Sequence, residues 1–167
     1  RQLAVEGIRV NGVGVDTVGQ AEVFAGSGFN DILVANPVVT RTKISRLCVL
    51  ARNAKMSVTV DDAANAAAMS AAALDSGVVL NVLIPLDAGS GLFGVAPGPA
   101  ALSLGREIAR SPGLSLAGLS ASLGWAVPPR VASEGLRGPA GGKAGVDDTD
   151  LLRQVLETSR QINAEGI

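Results

Sequence analysis

A chain of 167 residues, 47% hydrophobic with a mean hydropathy of +0.36, is sized for one domain with a buried core. Only 17% of the residues are charged and the net charge is −1, which leaves no basic footprint for nucleic acid and no polybasic patch for a membrane surface. Histidine is absent and Cys48 is the one cysteine, so histidine acid–base catalysis, an intramolecular disulfide and the usual zinc ligand sets are excluded.

Aromatic residues make up 2% of the chain, with no tyrosine, which also argues against a base-stacking platform. No apolar run approaches the ~18–20 residues of a membrane span, and no basic-then-apolar leader opens the chain. The single cysteine fits a reducing compartment, and a cytoplasmic location is expected. Residues Arg1 to Glu6 read as the tail of a helix, so further chain upstream is expected.

The first apolar run is Ile8–Val15. It is followed by Thr17-Val18-Gly19-Gln20, a capping box in which the Thr17 hydroxyl and the Gln20 side chain each satisfy a free N–H. The helix it opens should stop near Gly26 or Gly28. A second run, Ile32–Ala35, precedes a helix capped by Thr40, in which Ile44, Leu47, Cys48 and Ala51 share one face. A third, Met56–Val60, precedes an alanine-rich helix, Ala63–Ser76, capped by Asp62 and ended by Gly77. A fourth, Val79–Leu86, leads through a glycine-rich turn to a helix that starts at Pro99 and runs to Ser111. A fifth, Leu114–Leu119, follows. Leu123–Val146, rich in Gly and Pro, breaks the pattern. It reads as a surface segment, or, functionally, as a lid. Asp148 can cap a last helix, Thr149–Glu165, with Leu152, Val155, Leu156 and Ile162 on its apolar face.

Gly7, Asp31, Lys55 and Val79 each precede one of the first four runs at a constant spacing. The runs are rich in Val and Ile and largely lack alternation, as strands of a parallel sheet buried on both faces do. Strands alternating with helices at this short period predict right-handed βαβ units. The expected fold class is therefore α/β: an incomplete TIM-type (β/α)-barrel of about five βα units, with an open doubly wound sheet as the alternative. An incomplete barrel would leave strand edges through which copies could associate into a homo-oligomer.

In either fold, sites form where the strands end. Asp16, Asn36, Asp61, Asp62, Asp87, Ser120 and Ser122 fall there. Asp62 is placed to cap a helix, whereas Asn36 and Asp87 are not and are the stronger site candidates. The turn Asp87–Gly98 could let backbone N–H groups approach an anion. It lacks the Gly-Lys-Ser/Thr of a phosphate loop, and Gly12, Gly14 and Gly19 miss the dinucleotide spacing. A divalent cation on Asp16, Asp61 and Asp87 is a further alternative.

Five segments in order carry a resemblance. They are Thr17–Val23, Asp31–Asn36, Val58–Asp62, Asp87-x-Gly89-x-Gly91-x-x-Gly94-Val95-x-Pro97-Gly98, and Gly113-Leu114 to Gly118-Leu119. Together the chain resembles the D-threonine aldolase/D-serine dehydratase family, whose members have an alanine-racemase-like N-terminal barrel. The resemblance covers roughly Gly7 to Gly124. It implies a pyridoxal phosphate (PLP) barrel followed by a C-terminal β-domain, acting on D-threonine, other β-hydroxy-D-amino acids or D-serine by Cα–Cβ cleavage or loss of water. PLP would be the electron sink, and several members also need a divalent metal. The chain would then be one partial barrel domain over residues 1–167, with 123–146 irregular.

The same resemblance implies cofactor-side positions at Asn36, Asp61, Asp87, Gly89 and Ser122, with Gly91 and Gly94 also matching. Departures are Leu92, where the family usually has Arg, and Ser122-Leu123, where it has Tyr followed by an acidic residue or His. The family's PLP lysine falls before Arg1. The lysines present are Lys43 in a helix, Lys55 at the start of a strand and Lys143 in the irregular segment, none at a strand's C-terminal end. The chain alone is therefore expected to lack catalytic residues and protein metal ligands, to bind PLP poorly and to be inactive. The alternative is a non-catalytic α/β binding or scaffold module.

Overall fold

The computed structural model describes residues 12–87, 94–121 and 148–167. In chain order the elements are β1 (Val13–Val15), α1 (Val18–Gly26), β2 (Asp31–Val34), α2 (Arg41–Leu50), β3 (Lys55–Thr59), α3 (Ala63–Ser76), β4 (Leu80–Leu86), α4 (Pro99–Arg110), β5 (Leu114–Ala121) and α5 (Asp148–Ala164). The segments 1–11 and 123–146, together with Gly89, Gly91, Leu92, Ser122 and Lys143, lie outside the described residues.

Local chemistry explains most boundaries. Thr17 Oγ1 accepts from Gln20 N at 3.2 Å, while Gln20 Oε1 accepts from Thr17 N at 3.1 Å and Asp16 N at 2.8 Å. Asp62 Oδ1 accepts from Asn65 N at 2.8 Å, and α3 stops at Gly77, whose φ of +65° suits glycine. Pro99 begins α4. Thr40 does occupy the cap position of α2, but its side chain makes no cap bond. The site is exposed, so water can satisfy the first-turn N–H groups without it.

All five strands are parallel, in the order β1-β2-β3-β4-β5. Each new strand adds on the same side, so there is no switch point at which the order reverses. That rules out the doubly wound alternative and leaves a singly wound, barrel-type sheet. The helices pack in succession, α1 on α2, α2 on α3, α3 on α4 and α4 on α5. The sheet is not closed, and β1 and β5 are its edges among the described residues.

The repeat seen in the sequence is the register of the sheet. Asp31 opposes Lys55 and Ser57 opposes Asn81, and the Asp31–Lys55 ion pair joins side chains 24 residues apart. The first unit departs from this rule, because Val13 opposes Ile32 and falls short of the period. Only Asp16 and Thr17 join β1 to α1, where residues 35–40 join β2 to α2.

One face of the sheet is aliphatic. Val15, Ile32, Val34, Met56, Val58, Val60, Leu80, Val82, Ile84 and Leu86 are buried together with Ala21, Ile44, Leu47, Met69, Ala73, Leu104 and Ile108 of the helices. Burial of these side chains is the main driving force for the fold. Cys48 belongs to this core, and burial pushes its thiol pKa up, so it packs as a small hydrophobe. The other face carries the row Gly14, Leu33, Ser57, Asn81, Ser115. The expectation of unalternating apolar strands therefore needs correction. Ser57 and Thr59 of β3 are buried, yet they are polar, and Asn81 Nδ2 donates to Met56 O at 3.2 Å.

The apolar face expected for the last helix is also only partly used. Val155 and Ile162 pack inward with the buried Thr158, but Leu152 and Leu156 stay 45% and 55% exposed. The helix meets α4 and β5 along one seam, and the two leucines lie beside that seam.

Candidate active-site rim

The C-terminal ends of the strands form one rim, and hydrogen bonds lace it from strand to strand. Ala35 N donates to Val15 O at 2.8 Å, extending the β1–β2 ladder past the strand ends. Asn36 Nδ2 donates to Asp16 O at 3.1 Å, so Asn36 and Asp16 meet on this side of the rim, both exposed. Thr59 Oγ1 donates to Ala35 O at 3.1 Å from a position only 2% exposed, tying β3 to β2. Val60 N donates to Leu83 O at 3.0 Å.

On the other side the chain folds back on β4. Val95 N donates to Pro85 O and Asp87 N donates to Val95 O, each at 2.9 Å. This return brings Gly94 N to 3.4 Å from Asp61 Oδ2. Gly94 has φ +102°, and a Cβ there would lie 2.9 Å from Pro85 O and 3.0 Å from Asp87 N. Those are backbone atoms that cannot swing aside, so glycine is required. Asp61 and Asp87, both half-buried, thus converge on the same returning segment. Asp62 points its carboxylate into α3 as a cap.

Of the five cofactor-side positions, Asn36, Asp61 and Asp87 lie on this rim, in two groups, while Gly89 and Ser122 lie outside the described residues. The cation alternative receives no support, because among the described residues no three acidic or thiol side chains gather closely enough to hold a metal. The sequence reading missed Thr59 and Asn65. Thr59 falls 24 residues after Ala35, its acceptor, so the repeat itself marked it. Asn65, in the first turn of α3, is buried with both side-chain amide atoms unpaired by protein groups, and nothing in its helical context signals that.

PLP requires an amine as its covalent anchor and a cradle for its phosphate. Lys55 Nζ pairs with Asp31 Oδ2 at 3.1 Å at the opposite end of the strands, and Lys43 lies exposed in α2. Lys55 therefore holds its amine away from the rim, and Lys43 belongs to a helix and not to a strand end. Asp16, Asn36, Asp61 and Asp87 offer carboxylates and one amide, which suit a neutral or cationic group better than a phosphate. These rim residues therefore do not furnish the covalent anchor or a phosphate cradle.

Comparison with known proteins gives this rim a context. The family model described as "Alanine racemase, N-terminal domain" matches residues 2–159. A 3-hydroxy-D-aspartate aldolase of Paracoccus denitrificans is 39% identical over 132 residues, covering 78% of this chain and 33% of that protein. The crystal structure of D-threonine aldolase from Filomicrobium marinum superposes with a TM-score of 0.64 at 39% identity, over 65% of this chain and 29% of that one. A variant of D-threo-3-hydroxyaspartate dehydratase superposes with a TM-score of 0.62 at 25% identity, over 90% and 35%. The chain spans about a third of the length of the curated relatives it matches. No helix among the described residues is long and apolar enough to cross a membrane.

Proposed function

Because the chain belongs to the alanine racemase N-terminal domain family, we propose that its five βα units form part of the barrel of a PLP-dependent lyase acting on β-hydroxy-D-amino acids. The substrate class is that of D-threonine and 3-hydroxy-D-aspartate, cleaved between Cα and Cβ to glycine and an aldehyde. Bound PLP supplies an electron sink for that chemistry. The single observation that carries the reading is 39% identity to an aldolase of this class across most of the chain. Dehydration is the second reading, favoured by the likeness to the hydroxyaspartate dehydratase over 90% of the chain.

In this reading Asn36, Asp61 and Asp87 line the cofactor side of the barrel mouth, and the resemblance in sequence adds Gly89 and Ser122 to the cofactor-side set. Their part is to bind and orient, through side-chain amide and carboxylate groups. In this reading the chain by itself is inactive, because Lys43 lies in a helix and Lys55 at the start of a strand, neither at a strand's C-terminal end. The test is titration of the purified chain with PLP, followed by borohydride reduction and mass spectrometry. The expected result is no stoichiometric lysine adduct and no aldehyde from D-threonine. An adduct on Lys43, Lys55 or Lys143 would overturn the inactivity, and a full-length protein that cleaves neither substrate would overturn the lyase reading.

A further inference from the structure

The returning segment 94–98 is held at both of its ends, by different parts of the chain. At the first end are the rim contacts of Gly94 and Val95 with Asp61, Pro85 and Asp87. At the second, Gly98 caps α4 with φ +85° and ψ −132°, a conformation open to glycine, and no side chain caps the helix there. The Gly98 N–H is instead satisfied by α5, 60 residues further on, where it donates to Thr158 Oγ1 at 2.8 Å.

Thr158 is 1% exposed and shares the inward face of its helix with Val155 and Ile162. Its hydroxyl donates to Gln154 O at 2.7 Å. With the hydrogen committed there, a lone pair is left facing Gly98. A valine would fill the same space in the seam, so packing alone gives no reason for a hydroxyl. A second tie joins α4 to the C-terminal end of α5, with Arg106 Nε donating to Glu165 Oε2 at 2.7 Å and Arg106 Nη2 to Glu165 Oε1. This pair is exposed and does not reach segment 94–98.

We infer that Thr158 is a positioning residue of the rim: its hydroxyl holds Gly98, and through segment 94–98 it sets where Gly94 holds Asp61, and so where Asp61 meets a ligand. The ligand part of this inference rests on the reading of the rim as a cofactor site. The tether itself does not.

The experiment compares Thr158→Val, which loses the hydroxyl and keeps the shape, with Thr158→Ser, which keeps the hydroxyl. Arg106→Leu loosens α5 without touching Thr158, and Thr158→Ala serves if the valine variant does not fold. Hydrogen exchange of a peptide spanning 94–102 is read in the full-length protein, together with its affinity for PLP. Thr158→Val should speed exchange at 94–98 about tenfold and weaken PLP several-fold, while serine stays within about twofold of the parent. Arg106→Leu should leave this peptide unchanged. Unchanged exchange in Thr158→Val, or equal acceleration in Arg106→Leu, overturns the assignment. If the parent takes up no PLP, the cofactor reading fails, and the exchange comparison still decides the tether.

Discussion

From β2 to β4 the molecule is a repeat, and from β4 to α5 it is not. In the first stretch a constant unit length puts like positions opposite each other. The contacts Asp31–Lys55 and Thr59–Ala35 each join residues 24 apart, and Glu22–Arg46 does the same between α1 and α2. In the second stretch the β4–β5 register shifts between Val82 and Leu83, and Gly94, Gly98, Gly113 and Gly118 all take positive φ. Its ties are long in sequence: Gly94 to Asp61, Ser70 to Pro112, Gly98 to Thr158 and Arg106 to Glu165. A repeated unit registers itself, because each strand meets its neighbour at a set offset. An irregular unit needs particular distant partners, and two of these ties, Gly94 to Asp61 and Gly98 to Thr158, hold the returning segment at the candidate site.

The sharpest way to probe this contrast is to open a cavity in each stretch. Ile32 and Ile84 are both fully buried, and Ile32→Ala and Ile84→Ala should each cost about 3 kcal/mol in urea unfolding. Equal losses would show that the irregular stretch is as firmly packed as the repeat and differs only in its connections. A loss at Ile84 under half that at Ile32 would break the comparison, because the two stretches would then unfold separately.

Gly94→Ala comes next. The strained φ and the contact with Pro85 O should cost roughly 2 kcal/mol. They should also speed amide exchange around residues 85–98 while leaving β2 and β3 protected. Asp62→Ala removes the cap of α3, inside the repeat, and should cost about 1 kcal/mol in thermal or urea unfolding with the exchange pattern of 94–98 untouched. Faster exchange there would mean that the two stretches are coupled through Asp61.

The smallest effect is electrostatic. Hydrogen bonding and attraction to Arg46 hold the Glu22 carboxyl below the usual glutamate range. A depressed folded-state pKa gives stability that is full above the unfolded value and is lost as pH falls through the folded one. Glu22→Gln should therefore be slightly less stable than the parent at neutral pH and equal to it in strong acid. The pair is exposed, so added salt should shrink the difference. The same carboxyl shift at Glu165, caused by Arg106, predicts a parallel acid loss in the irregular stretch.

Much of this is legible in the amino-acid sequence alone. The capping box at Thr17, the Asp62 cap, the Gly77 stop and Pro99 rest on hydrogen bonds and φ preferences within a few residues, and such signals survive in any fold. The constant spacing held the register of β2, β3 and β4 for the same reason, since units of equal length stack in phase. The positions of Asn36, Asp61 and Asp87 followed from where the strands stop.

What remained undecided depends on which elements become neighbours. Both a barrel segment and a doubly wound sheet satisfy the strand–helix alternation, and only the sequential strand order separates them. Leu152 and Leu156 have the right periodicity, but α5 turns a different edge toward α4. The Gly94–Asp61 and Gly98–Thr158 bonds join residues far apart in the chain through backbone N–H groups, which every residue but proline carries and which therefore leave no mark in a sequence.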